Sequence, residues 1–190
     1  VGYPYRTFYL IEFAGINPET GAPQFYTNEK DENGNYIKEI TEKPSEANYI
    51  PTKEHAEPAV VGGLTNTFRY RWFDLSFMFS YQFGGYSYDN WAQKTEHGGD
   101  DLEANIPTYY KDCWKKPGDV TQYEFFYESP DVPMSDYRTT RRLHSTDFIR
   151  LKSLSFGFTF PQEWTRKARI ENVRLYFSAV NPWTWAASDY

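Results

Sequence analysis

The sequence predicts an all-β fold of antiparallel, up-and-down strands that form part of a transmembrane β-barrel, with long loops at one end and short turns at the other. Three observations predict it. The 190-residue chain is 20% aromatic, with 17 Tyr, 15 Phe and 6 Trp, yet its mean hydropathy is −0.76. A soluble core of that ring content would carry more Leu, Ile and Val beside the rings. A barrel strand needs only one apolar face and sets aromatic girdles at the membrane interfaces. Several segments alternate apolar and polar residues with period two. The connections between them run long, short, long, short, so all the long ones belong at one end of an up-and-down sheet.

The strongest segment is 73–84, FDLSFMFSYQFG. Phe73, Leu75, Phe77, Phe79, Tyr81 and Phe83 fall on one side. Asp74, Ser76, Met78, Ser80, Gln82 and Gly84 fall on the other. At about 3.3 Å per residue the run reaches about 40 Å, enough to cross a bilayer at a tilt. Segment 64–71 also alternates, and the few residues between it and Phe73 demand a tight antiparallel hairpin. In 148–160, Leu154, Phe156, Phe158 and Phe160 share a phase, whereas Ile149 and Leu151 lie on the opposite one. A β-bulge near Lys152 reconciles the halves. A further strand begins at 173–180, and a less cleanly patterned one spans 6–14. The apolar positions Phe73, Leu75, Phe77, Phe79, Tyr81, Leu154, Phe156 and Phe158 are expected to face lipid. The competing fold is a β-sandwich, in which the same row packs against a second sheet.

The formal net charge of −6 offers no basic stripe for nucleic acid. No apolar run is long enough for a transmembrane helix, which leaves strand-built membrane proteins untouched. Cys113 is the lone cysteine and is expected to be an ordinary loop thiol. Val1 is not a start methionine and no signal peptide is visible, so the chain is expected to be a piece of a longer one. Asp31, Asn33 and Asn35 have the spacing of the first calcium-loop ligands, but Tyr36 stands where glycine is required. A polar hairpin tip at Asn33-Gly34 is expected instead. His55, His97 and His144 show no metal-ligand spacing, so no metal or other cofactor is assigned. Glu96, Asp100 and Asp101 lie in a Gly-rich loop that lacks the rigidity of a carboxylate pair, and no enzyme activity is expected.

The long 85–145 connection is rich in rings. Tyr86, Tyr88, Trp91, Tyr109, Tyr110 and Trp114 are candidate contacts for cargo or a partner, since flat rings with polar neighbours suit sugar stacking or a protein surface. The alternative is that these rings pack on one another to order the loop. Arg138, Arg141 and Arg142 can pair with loop acids or lipopolysaccharide phosphates, but a solvated loop face is the expected role. Trp183 and Trp185 suit an interfacial aromatic belt or packing at a strand end.

GGLTNTFRYRWFDLSFMFSYQFGG resembles a strand–turn–strand near the C-terminus of the SusC/RagA family of TonB-linked outer-membrane proteins. STDFIRLKSLSFGFTFP followed by WTRKARIENVRLYFSAVNPWTW resembles that family's penultimate strands, and GYPYRTFYLIEFAGINPETGAPQFY the segment that opens this region. The resemblance implies residues 1–190 as the C-terminal part of a 22-stranded barrel in the cell outer membrane, with the plug and the final strand absent. It implies extracellular long loops, periplasmic short turns, and import of oligosaccharide or peptide. The implied partners are a SusD-like lipoprotein, the TonB complex acting through an N-terminal part, and outer-membrane lipid. The competing function is a secreted, soluble carbohydrate-binding β-sandwich.

Overall fold

The computed structural model describes residues 2–96, 98–99, 103, 105–126 and 137–187. In chain order the strands are β1 (Thr7–Ile11), β2 (Phe13–Ile16), β3 (Pro23–Tyr26), β4 (Glu29–Lys30), β5 (Tyr36–Ile37), β6 (Ile40–Thr41), β7 (Tyr49–His55), β8 (Val60–Tyr70), β9 (Phe73–Phe83), β10 (Tyr86–Tyr88), β11 (Leu143–Ser145), β12 (Phe148–Thr159) and β13 (Arg174–Ala186). Two short helices are α1 (Asn90–Thr95) and α2 (Gln162–Thr165). The chain divides into two compact units. One comprises Val1–Ala56 with Ser87–His144, the other Glu57–Tyr86 with Ser145–Tyr190.

The second unit is an antiparallel sheet in the order β13-β12-β9-β8. Its strands run 11, 11, 12 and 13 residues from β8 to β13, the length that spans a bilayer at a tilt. Tyr70 pairs with Phe73 across a two-residue turn, where Arg71 adopts a left-handed φ of 52°. The expected bulge is present. Leu151 faces Phe79, but Ser153 faces Met78, so Lys152 is the extra residue. Ile149 and Leu151 therefore join Leu154, Phe156 and Phe158 on the side of Tyr81, Phe79, Phe77, Leu75 and Phe73. The last strand is longer than the alternation in 173–180 predicts. A second irregularity lets it continue: Leu151 faces Trp183 while Ser153 faces Val180, and Asn181 takes a φ of 50°. Pro182, which has no N–H, is tolerated at such a bulge.

The register places Val60, Phe83 and Phe148 at one end of this sheet. The long 84–147 connection departs from that end and returns to it. The Arg71–Trp72 turn lies at the other end with the 160–173 connection, which holds α2 and the turn Arg166–Ala168.

The first unit gathers the polypeptide before β8 and most of the β9–β12 connection. Segment 6–14 does not form one barrel strand. It breaks at Glu12, β1 pairing with β7 and β2 with β3. Ile11, Phe25 and Ala47 form a small core against which Phe13 and Tyr137 pack. Backbone bonds join the two stretches: Ile11 N donates to Arg138 O at 2.9 Å, Gly118 N to Pro18 O at 2.9 Å, and Phe125 N to Gly21 O at 3.2 Å. Asn33-Gly34 does sit at a hairpin tip, between β4 and β5. There the backbone N–H groups of Asn33 and Asn35 donate to Asp31 Oδ1. The Asn35 bonds in particular hold the Asp31 carboxyl below its ordinary range.

Candidate functional site

One face of the four-stranded sheet is apolar and uncovered. Register rows cross it intact: Phe68–Leu75–Phe156–Phe177, then Leu64–Phe79–Leu151–Trp183. Phe73 lies between two rings, 4.7 Å from the Phe158 centroid and 5.9 Å from that of Phe156. Of the eight residues expected to face lipid, none is buried. Phe73 is 45% and Phe156 41% exposed, and Leu75, Phe77, Phe79, Tyr81, Leu154 and Phe158 are half-buried. Every buried hydrophobic residue among those described, from Leu10 to Tyr110, belongs to the first unit. A sandwich requires Phe77, Phe79 and Phe156 to be enclosed by a second sheet, and among the described residues none covers them. Trp183 and Trp185 extend the same face, opposite Leu151 and Ile149.

The opposite face carries hydrogen-bonding side chains. Thr67 and Ser76 hydroxyls meet at 3.1 Å, and Arg150 Nε donates to Thr184 Oγ1 at 3.2 Å. Arg174 Nη2 bonds both Asp74 oxygens, at 2.8 and 3.0 Å. That pair reaches across Gly157, where an added Cβ would stand 2.6 Å from Asp74 Oδ1. Apolar and polar sides thus alternate along most of the sheet, with Asn66 on the ringed side and Val61 and Val180 on the polar side as exceptions, the pattern of a wall between lipid and an aqueous lumen.

In the first unit the ring-rich connection is ordered around buried charge. Glu124 is fully buried and Arg142 is 2% exposed. Arg141 Nη1 bonds Glu124 Oε2 at 2.5 Å. Arg142 Nη2 donates to the Glu96 carbonyl at 3.1 Å, and its Nε lies 3.5 Å from Glu96 Oε2. The expectation of a solvated arginine face is therefore corrected for Arg141 and Arg142, which pair with loop acids inside the unit. Burial works against the Arg141 charge, but Glu124, with Tyr110 and Glu96 beside it, holds the guanidinium above its ordinary pKa. Tyr110 donates to Glu124 Oε1 at 2.8 Å. Burial first, and then that carboxylate, push its phenol well above the ordinary value.

The six candidate contact rings divide. Tyr88 and Tyr110 are buried. Tyr88 donates to Gln93 Oε1 at 3.0 Å and lies under the Arg138 guanidinium. Trp114 is half-buried, its indole N–H donating to Pro18 O at 2.8 Å. Tyr109 is partly exposed, stacked 5.1 Å from Tyr123 with its hydroxyl on Glu96. Tyr86 is half-buried, and Trp91 on α1 is 76% exposed. Trp91 and Tyr109 thus offer the most open ring surface of the six. His97, Asp100, Asp101 and Tyr127 lie outside the described residues. Among those described, no group of His, Cys, Asp and Glu is arranged to hold a metal. Among the described residues no helix is long and apolar enough to cross a membrane, which says nothing of a β-barrel. Sequence reasoning missed the Glu124–Arg141 pair, whose members stand 17 residues apart within an aperiodic segment.

No family model matches the chain. TonB-dependent receptor P39 of Formosa agariphila is 30% identical over 120 residues, which cover 63% of this chain and 12% of the relative. TonB-dependent receptor P3 of the same species is 28% identical over 137 residues, 70% of this chain and 12% of the relative. The chain thus matches only about an eighth of each curated relative's length. Among solved structures, the RagAB peptide transporter superposes with a TM-score of 0.75 at 25% identity, over 99% of this chain and 20% of that one. The RagAB peptide importer in its closed-closed state gives 0.74 at 25% identity, with the same coverage. The long two-faced strands and these likenesses define a portion of an outer-membrane β-barrel wall. In sequence and in fold the chain is similar to TonB-dependent receptors of the SusC/RagA type.

Proposed function

We propose that the chain supplies barrel wall and two extracellular excursions to a TonB-dependent importer of oligosaccharides, with a SusD-like lipoprotein as its outer partner. In this reading it is the C-terminal part of a 22-stranded barrel, and TonB acts through an N-terminal part. The carrying observation is the uncovered ringed face, with a polar face behind it. The six rings and two leucines of the apolar face meet acyl chains, and Asp74, Ser76 and Ser80 meet the lumen. Trp91 and Tyr109 are the rings placed for contact with cargo or lid. Peptide cargo is the second reading, favoured by the likeness to the RagAB peptide transporter. The soluble sandwich reading lacks the second sheet it requires among the described residues.

Single cysteines test the wall. In the full-length receptor carrying Cys113→Ser, Leu75→Cys and Phe77→Cys should react with a membrane-restricted maleimide, while Ser76→Cys and Ser80→Cys should react only with a water-soluble one. The reverse pattern would mean that the two faces are assigned the wrong way round.

A further inference from the structure

The connection between β12 and β13 closes the ringed face at the Arg71–Trp72 end. Phe160 carries the ringed row past Phe158, whose ring centre is 4.8 Å away, and the chain then turns at Pro161 into α2. There Trp72, Pro161, Gln162, Glu163 and Arg166 line a cleft of about 400 Å³, within the roughly 300–1,000 Å³ of small-ligand sites. Backbone bonds fix both of its walls. Trp72 O accepts from Thr159 N at 2.8 Å, and Pro161 O from Trp164 N at 3.0 Å.

Exposed indoles stand here beside unpaired charge. Trp72 is 41% and Trp164 58% exposed, with ring centres 6.0 Å apart. Glu163 and Arg166 are three residues apart, which makes their side chains neighbours on a helical turn. Both are exposed, and among the described residues neither is in an ion pair. Lys43 and Glu46, at the same spacing, do pair, at 3.2 Å. Arg71 on the adjoining turn is also outside any ion pair among the described residues, its guanidinium 5.5 Å from the Tyr70 ring centre. Tyr70 lies opposite Phe73, hence on the ringed side.

We propose that this cleft binds the phosphoethanolamine headgroup of a phospholipid whose acyl chains run onto the ringed face. Arg166, with Arg71 near the same rim, takes the phosphate diester. The ammonium meets Glu163 and the open indole face. Indoles suit that depth, with an apolar body and an N–H turned to water. Arg71, Lys167 and Arg169 attract the phosphate of any phospholipid. Glu163 separates phosphoethanolamine from a headgroup that lacks an ammonium. The inference rests on the barrel-wall reading and adds to it a site that selects one headgroup.

Native mass spectrometry tests it on the full-length receptor in detergent, supplied with equal amounts of phosphatidylethanolamine and phosphatidylglycerol of matched acyl chains. The unmodified receptor should retain phosphatidylethanolamine preferentially. Glu163→Gln should cut that preference about tenfold with phosphatidylglycerol retention unchanged, and Arg166→Gln should weaken both lipids. Lys152→Ala, at the exposed bulge, should alter neither. Equal retention of the two lipids by the unmodified receptor, or a parental preference in Glu163→Gln, would overturn the headgroup assignment and leave the lipid-facing wall standing. Displacement of the lipid by free phosphoethanolamine would show that the acyl chains play no part, and would overturn the phospholipid as occupant. Retention of neither lipid would overturn the site and the wall together.

Discussion

Glu124 has no solvent, and Arg141 is the cation that neutralises it. Surface ion pairs contribute little, but removing one member of a buried pair strands the other in a low dielectric, typically at a cost of roughly 3–5 kcal/mol. Arg141→Met should therefore destabilise the first unit by about that amount. Arg141→Met combined with Glu124→Leu should recover much of the loss, because no charge is left stranded. Limited proteolysis of the folded receptor reads this out: the single variant is cut within 87–144 and the double variant resists. Equal protection of the single variant and the parent would show that the pair bears no load. At Lys38–Glu12, where the lysine is more than half exposed, the same loss of a partner should matter far less.

A single inserted residue decides the phase of a whole strand, because side chains alternate with a period of two. Lys152 is that residue in β12. Its side chain is exposed, so Lys152→Ala should be tolerated. Deleting Lys152 should throw Leu154, Phe156 and Phe158 onto the face of Ser76 and Asp74, and the receptor should fail to give the heat-modifiable band of a folded barrel. A normal band from the deletion would show that the bulge is dispensable. The four wall strands were legible in the sequence because a membrane barrel writes its faces into strict alternation, and the phase change at Lys152 was legible for the same reason. The end of β13 was not, since Asn181-Pro182 reads as a stop until the bulge is seen. The irregular strands before β8 were not either: β4, β5 and β6 have two residues each, too few to show a period. The buried roles of Tyr88, Tyr110 and Arg142 were hidden because their partners meet through loop folding that no periodicity encodes.

At the scale of the whole chain, two stretches separated by an entire hairpin of wall fold into one unit. Ile11, Phe25 and Ala47 come from the first stretch, and Tyr137 packs against them from the second. The wall depends instead on its own ladder, β12 pairing with β9 and β13 along nearly their full lengths. The two units should then fail independently. Replacing residues 90–141 by a short Gly-Ser linker removes the Arg138 carbonyl that accepts from Ile11 and the Thr140 hydroxyl that accepts from Phe13. In the full-length receptor, hydrogen exchange at Ile11 and Phe13 should accelerate by orders of magnitude, while the amides of Phe77 and Leu154 stay protected. Simultaneous loss at all four would mean that wall and excursions form one cooperative body. Retained protection at Ile11 would mean that the first stretch folds without the second. Independence also suits the work proposed for the chain, since a wall held by its own hydrogen bonds lets the excursions rearrange around cargo without opening the barrel.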